Sequence, residues 1–243
     1  YESDGAKVID VKKDDDKLEV PPLIVIKNDG ATIYATRDLA TIYSRVKLYN
    51  PDEIWYVVDG RQGLHFEQVF RAARKAELVR DDVKLEHIGF GTMNGQDGKP
   101  FKTRDGGVMT LKSLIDLINN ETLKKITSES MTKEEKEKIS RTVAIAALKY
   151  ADFLPFRATD YVFDPEKFAD LEGKTGPYLL YSTIRMKSLL IKAKESNVSY
   201  QDYKQITTDI EREIILTTTT LRSVIEKAFI NKSLSDIADY LYK

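Results

Sequence analysis

Between residues 31 and 118, short apolar runs alternate with stretches of helical period, and this alternation restricts the fold more than any other property of the chain. Ala31-Thr32-Ile33-Tyr34-Ala35 reads as a strand. Thr36 is a candidate N-cap for a helix starting at Arg37, with Asp38 in its first turn and Leu39, Ile42, Tyr43 and Val46 on its buried face. Past Pro51, Glu53-Ile54-Trp55-Tyr56-Val57-Val58 reads as a largely buried strand ending at Asp59-Gly60. A second helix places Phe66, Val69, Phe70 and Ala73 on one stripe, and Lys84-Leu85-Glu86-His87-Ile88 follows as a short strand. The order strand, helix, strand, helix, strand predicts an α/β fold, part of a doubly wound parallel sheet of the Rossmann-like, nucleotide-binding type. Ligands of such sheets sit beyond the carboxyl ends of the strands. Tyr34, Asp59, Gly60, Gln62 and the segment after Phe90 all fall there.

On the N-terminal side, residues 6–11 read as an edge strand and Pro21-Pro22 breaks any element. Leu23-Ile24-Val25-Ile26, the turn signal Asn28-Asp29-Gly30 and the run 31–35 together predict a hairpin. Beyond residue 120 the pattern is helical. Ser130 or Thr132 caps a helix through Lys149, residues 153–170 are irregular and aromatic, and 173–177 form a turn. Further helices are expected from near Pro177 to Lys194, over 207–231 despite Thr217-Thr218-Thr219-Thr220, and over 233–242. The implied division is 1–125 for the α/β part, 126–172 for a connecting helical region and 173–243 for the start of an all-α domain.

Net charge is −1 over 243 residues, so any nucleic-acid surface must be a local patch. The absence of cysteine excludes disulfides and thiolate zinc sites, and two histidines argue against a histidine-rich metal site. No apolar run approaches membrane length and no signal segment is visible, so a soluble cytoplasmic protein with no membrane partner is expected. The chain opens on Tyr1 inside a charged stretch, as a piece of a longer protein would.

Four constellations could carry chemistry. Residues 90–107 hold five glycines and one proline, with Lys99, Lys102 and Arg104 at the centre. A glycine-hinged basic loop between a strand and a helix can fold over polyphosphate, its N–H groups cradling anionic oxygens; it can equally be a solvated surface loop. Neither a P-loop nor a G-x-G-x-x-G pattern is present. Tyr34 and Asp38 bracket a strand-to-helix turn and could bind a cation such as a guanidinium, or supply an N-terminal helix charge and a buried ring. Gln62 and His65 could reach a ligand from the start of the second helix, or be a solvated amide and a satisfied histidine. Tyr178, Tyr181 and Arg185, with Lys187, Lys192 and Lys194, interleave aromatics and cations as a nucleic-acid surface does, or as a solvated helix face does.

Taken together, these pieces resemble the arginyl-tRNA synthetases of the class I aminoacyl-tRNA synthetase group. The resemblance is carried by Tyr34-Ala35-Thr36-Arg37-Asp38-Leu39-Ala40, by Arg61-Gln62 with His65 and Gln68, and by Phe90-Gly91-Thr92-Met93 followed by the segment from Asp97 to Arg104. It continues through Lys149-Tyr150-Ala151-Asp152, Thr159-Asp160-Tyr161 and Gly176-Pro177-Tyr178 to Tyr181 and Arg185. It implies ATP-dependent activation of L-arginine to arginyl-adenylate, with Mg2+ accompanying ATP and no metal bound by the protein, then transfer to the 3′ end of tRNA(Arg). Tyr34, Asp38 and Gln62 match the family's arginine pocket. Gly91, Thr92 and Met93 match the place where the adenine edge is held, and His65 lies near the ATP site. Lys99-Pro100-Phe101-Lys102-Thr103 occupies the position of the KMSKS loop, which puts Lys102 on the second lysine, stabilising the departing pyrophosphate, and Lys99 on the first. Tyr178, Tyr181 and Arg185 are the implied tRNA contacts. Pro100 and Phe101 replace the middle of the loop motif. The family's HIGH motif is absent from these residues and is expected upstream, with further pocket residues. The alternative is a non-catalytic nucleotide fold with a helical RNA-binding extension.

Overall fold

The structure, a computed structural model, describes residues 1–99, 109–197 and 205–243. It divides into two compact units, residues 1–91 and 92–243.

In the first unit, β1 (Glu2–Ser3), β2 (Ala6–Ile9) and β3 (Leu23–Ile26) form an antiparallel sheet in that order. Asp4 and Gly5, with φ of 48° and 76°, make the β1–β2 turn, which needs two left-handed residues. Helix α1 (Tyr34–Tyr49) leads to β4 (Glu53–Asp59). A short 3-10 turn (Gly60–Gln62) and α2 (Gly63–Lys75) then cross over to β5 (Lys84–Phe90). Strands β4 and β5 pair in parallel, so this segment is the βαβ unit that the alternation predicts. Leu39 and Ile42 of α1, Ile54 and Tyr56 of β4 and Phe66 and Val69 of α2 share one buried cluster. Arg71 fastens the charged stretch after β2 to α2: it donates to the Val11 carbonyl at 3.0 Å and pairs with Asp16 at 2.7 Å. Those hydrogen bonds from Arg71 hold the Asp16 carboxyl at about 2.

Four expectations for this unit are corrected. Residues 31–35 do not form a strand. Thr32 alone bridges Ile26, and the helix starts at Tyr34. The reason is the Thr36 hydroxyl. It accepts from the Ile33 N–H at 3.2 Å and donates to the Val25 carbonyl, closing the helix end from inside the first turn rather than from the cap position. Asp38 therefore sits in the second turn. Tyr43 is exposed, its ring lying under the Lys47 ammonium. Strand β4 is buried on one face only: Ile54 and Tyr56 point into the core, whereas Trp55 and Val57 are exposed.

Among its described residues the second unit is mainly helical, with two short strands, β6 (Met93–Asn94) and β7 (Tyr161–Val162), which pair in parallel. Neither short strand is expected from the sequence, where both fall in segments reading as loop. Its helices are α3 (Leu111–Lys125), α4 (Lys133–Phe153), α5 (Pro165–Phe168), α6 (Gly176–Glu195), α7 (Asp209–Thr219), α8 (Leu221–Asn231) and α9 (Ser235–Tyr242). Thr132 is the α4 cap, in a reciprocal box with Glu135: Glu135 N–H donates to Thr132 Oγ1 at 3.2 Å and Thr132 N–H to Glu135 Oε2 at 2.9 Å. Leu114 and Ile118 of α3, Ala144, Ala147 and Leu148 of α4, and Phe163 form the core. The single helix expected over 207–231 is broken at Thr220. There the threonine hydroxyls bond backward, Thr219 to the Leu216 carbonyl and Thr220 to the Thr217 carbonyl, each at 2.7 Å, which competes with the helical ladder and bends the chain. Among the described residues no helix is long and apolar enough to cross a membrane.

Helices α4 and α6 meet at Gly176. A Cβ there would lie 2.3 Å from the Ala146 carbonyl oxygen, a backbone atom that cannot rotate away. Gly176→Ala is expected to destabilise the second unit by about 1–3 kcal/mol, the cost of overpacking. Thermal unfolding of the chain measures this, and an unchanged melting temperature would mean that the two helices separate freely.

Candidate active site

The carboxyl ends of β4 and β5 form the floor of the first candidate region. Their register pairs Val58 with Gly89 and Asp59 with Phe90. A Cβ at Gly89 would lie 2.9 Å from Gly60 Cα, so glycine is what lets the turn after β4 pass this close over β5. Asp59 caps that turn by accepting from the Arg61 N–H at 2.8 Å, and its carboxylate also pairs with the Arg61 guanidinium. The hydrogen bonds from Arg61 hold Asp59 at about 2. The turn ends at Gln62, which is exposed and enters α2.

His65, the third residue of α2, meets Asp38 of α1: Nε2 and Oδ2 are 2.7 Å apart, with both side chains a little over a quarter exposed. A contact this short to a carboxylate places a proton on Nε2. The sequence reading assigns Asp38 and His65 to different ligands, and the fold joins them across 27 residues. No periodicity reveals such a pair, because it depends on how two helices pack. Tyr34 precedes Asp38 by one helical turn and shares its side of α1. Tyr34 is 80% exposed, its ring beneath the Arg37 guanidinium at 5.9 Å. Among the described residues no hydrogen bond joins Tyr34 or Gln62 to Asp38. Beneath the site, Tyr56 and His87 pack on the Phe66 ring with centroids at 4.8 and 5.2 Å. His87 Nε2 is buried and has no hydrogen-bond partner among the described residues, and the Arg45 guanidinium lies 5.3 Å from the Tyr56 ring centre. Burial raises the Tyr56 hydroxyl above its ordinary range.

Gly91 ends the first unit; Thr92 and Met93 open the second. Thr92 donates its N–H to Asp160 Oδ1 at 2.6 Å and accepts from the Tyr161 N–H at 3.0 Å. The chain then makes a turn in which Gly95 N–H donates to the Lys99 carbonyl at 2.8 Å, with Gly98 at φ +73°. Lys99 is exposed. Lys102, with the rest of residues 100–108, lies outside the described residues.

On α6, Tyr181 is half-exposed with the Arg185 guanidinium 5.5 Å above its ring. Tyr178 differs: it packs against Tyr242 of α9 with centroids 5.5 Å apart. The structure thus presents Tyr181 and Arg185 as a pair and turns Tyr178 partly inward.

Two family models match the chain. The one described as tRNA synthetases class I (R), catalytic domain, covers residues 1–165, and the one described as DALR anticodon binding domain covers 179–243. Among curated proteins, an arginine–tRNA ligase of Alkaliphilus oremlandii is 47% identical over 242 residues, 99% of this chain and 41% of the relative. An arginine–tRNA ligase of Agathobacter rectalis is 45% identical over 99% of this chain and 42% of its own length. The chain spans about two fifths of the curated relatives it matches. Among solved structures, an arginyl-tRNA synthetase of Plasmodium falciparum superposes with a TM-score of 0.78 at 23% identity, covering 100% of this chain and 41% of that one. A Thermus thermophilus arginyl-tRNA synthetase gives 0.72 at 20% identity, covering 99% and 45%. These two establish the likeness of fold, including the parallel α/β part followed by helices.

Proposed function

Because the chain belongs to the class I tRNA synthetase family of the arginine type, we propose that it is the part of an arginine–tRNA ligase that recognises arginine and carries the pyrophosphate-stabilising loop. In this reading a carboxylate oxygen of L-arginine attacks the α-phosphorus of ATP, the α–β bond breaks and pyrophosphate leaves. A terminal ribose hydroxyl of tRNA(Arg) then takes the arginyl group and releases AMP. Mg2+ comes with the ATP phosphates. The setting is the cytoplasm.

One observation carries this reading: a carboxylate on α1 fixed by a histidine on α2, beside the strand ends where doubly wound sheets bind ligands. Asp38 is the partner for the guanidinium, whose planar fork matches a carboxylate and distinguishes arginine from the point charge of lysine. Nε2 of His65 is committed to Asp38, so contact with ATP is left to the other edge of the ring. Tyr34 and Gln62 complete the arginine pocket. Gly91, Thr92 and Met93 hold adenine. Lys102, assisted by Lys99, neutralises charge developing on the pyrophosphate, and no covalent enzyme intermediate is required. Tyr178, Tyr181 and Arg185 contact the tRNA through stacking and phosphate pairing. By this reading residues 1–125 continue the catalytic domain, 126–172 connect and 173–243 begin the anticodon-binding domain.

The test is ATP–pyrophosphate exchange by the full-length ligase containing this chain, with arginine or lysine and with tRNA. Exchange with arginine alone of the two amino acids is expected. Its absence would favour the non-catalytic RNA-binding alternative. A second expectation concerns the 243-residue polypeptide by itself. It matches about two fifths of its relatives, and a loop that stabilises pyrophosphate does nothing without a complete nucleotide site, so no arginine-dependent exchange is expected. Measurable exchange by that polypeptide would show that the site is complete within it.

A further inference from the structure

The segment 92–94 is held along one side by the 160–163 stretch. Asp160 Oδ1 accepts the Thr92 N–H at 2.6 Å, the Tyr161 N–H donates to the Thr92 carbonyl at 3.0 Å, and the Phe163 N–H donates to the Asn94 carbonyl at 2.8 Å. Gln96 Nε2 extends the seam by donating to the Phe163 carbonyl at 3.0 Å. Strand alternation then turns the Met93 N–H and carbonyl to the opposite edge of this two-residue pair, where no further strand pairs with it among the described residues. The seam is itself fastened to α4, where the Tyr161 hydroxyl donates to Asp152 Oδ1 at 2.7 Å. Burial and the bond to Asp152 push the Tyr161 hydroxyl far above its ordinary range, so it stays a donor at every working pH. Met93 and Met109, which lie either side of the lysine loop, both pack on the α3–α4 core.

We propose that Asp160 and Tyr161 are positioning residues for the nucleotide, fixing the backbone at residues 92–94 so that the Met93 edge meets adenine, and that Asp152 positions Tyr161 in turn. The proposal rests on the ligase reading above. It gives a task to Thr159-Asp160-Tyr161 and to Asp152, neither of which the reaction itself uses. A two-residue parallel pair is too short to hold its own register, so side-chain bonds from Asp160 and Tyr161 must do so. A donor or acceptor that recognises a flat base works only when it is held in place before binding.

Arginine-dependent ATP–pyrophosphate exchange by the full-length ligase, titrated separately in ATP and in arginine, tests this. Asp160→Ala is expected to raise the KM for ATP by about three- to tenfold, the worth of one lost hydrogen bond, with the KM for arginine unchanged. Asp160→Asn retains an acceptor oxygen for the Thr92 N–H and is expected to restore most of the loss. Tyr161→Phe should move the KM for ATP in the same direction by less. An Asp160→Ala enzyme with wild-type KM for ATP overturns the proposal, whatever its melting temperature, and so does an equal rise in both KM values. Should Asp160→Ala fail to fold, Tyr161→Phe decides, and an unmoved KM for ATP in that variant overturns the proposal. A wild-type enzyme without arginine-dependent exchange overturns the ligase reading, and this proposal falls with it. An active wild type with unmoved variants overturns the positioning role alone.

Discussion

Asp38→Asn in the full-length ligase is expected to raise the KM for arginine by about one to two decades and to leave the KM for ATP nearly unchanged. The substitution keeps the size of the side chain and an oxygen that can accept from His65 Nε2, so the 2.7 Å contact between α1 and α2 survives. What disappears is the negative charge. A charge-assisted hydrogen bond contributes about 1.5–3 kcal/mol, which corresponds to that change in apparent affinity. The competing account, in which Asp38 merely complements the helix dipole, loses its basis in the structure. The helix begins at Tyr34 and has no acidic residue in its first turn, and the dipole effect fades beyond that turn. Both side chains are partly exposed, so weakening their pairing costs stability no more than about 1 kcal/mol. Measuring both KM values and the melting temperature on this one variant separates the accounts. An unmoved KM for arginine would remove Asp38 from the pocket.

Lys102→Ala is expected to lower kcat for adenylate formation by roughly tenfold to a thousandfold, with a smaller change in the KM for arginine. Charge builds on the β- and γ-phosphates as the α–β bond breaks, so a cation meeting that charge contributes mainly in the transition state and shows in kcat. Lys99→Ala is expected to do less. By the family resemblance Lys99 lies farther from the transferred phosphate, and its backbone belongs to the Gly95–Lys99 turn, which the substitution leaves intact. Single-turnover kinetics of adenylate formation read the chemical step directly. If both variants retain wild-type kcat, Lys99 and Lys102 take no part in the chemical step.

Regular elements were legible wherever periodicity and end signals agreed. Of the stripe Phe66, Val69, Phe70 and Ala73, all but Phe70 are fully buried, Phe70 packing half-buried against the same cluster, and the β4–α2–β5 crossover follows from the order of runs. The Thr132 cap lies within the pair of candidates that the sequence offers. The phenol, carboxylate and amide proposed as arginine contacts could also be named from the sequence, because chemistry restricts which side chains can hold a guanidinium. Tertiary structure decided everything that depends on a distant partner. Ala31-Thr32-Ile33-Tyr34-Ala35 has strand propensity, but the Thr36 hydroxyl finds the Val25 carbonyl and the helix begins three residues early. Trp55 and Val57 look as apolar as Ile54 and Tyr56, and only packing against α1 and α2 selects which pair is buried. The joining of Asp38 to His65, and of Thr92 to Asp160 across 68 residues, leaves no local trace. Propensity and period are properties of neighbours along the chain, whereas these bonds exist only after helix packing and the β6–β7 pairing have brought the residues together.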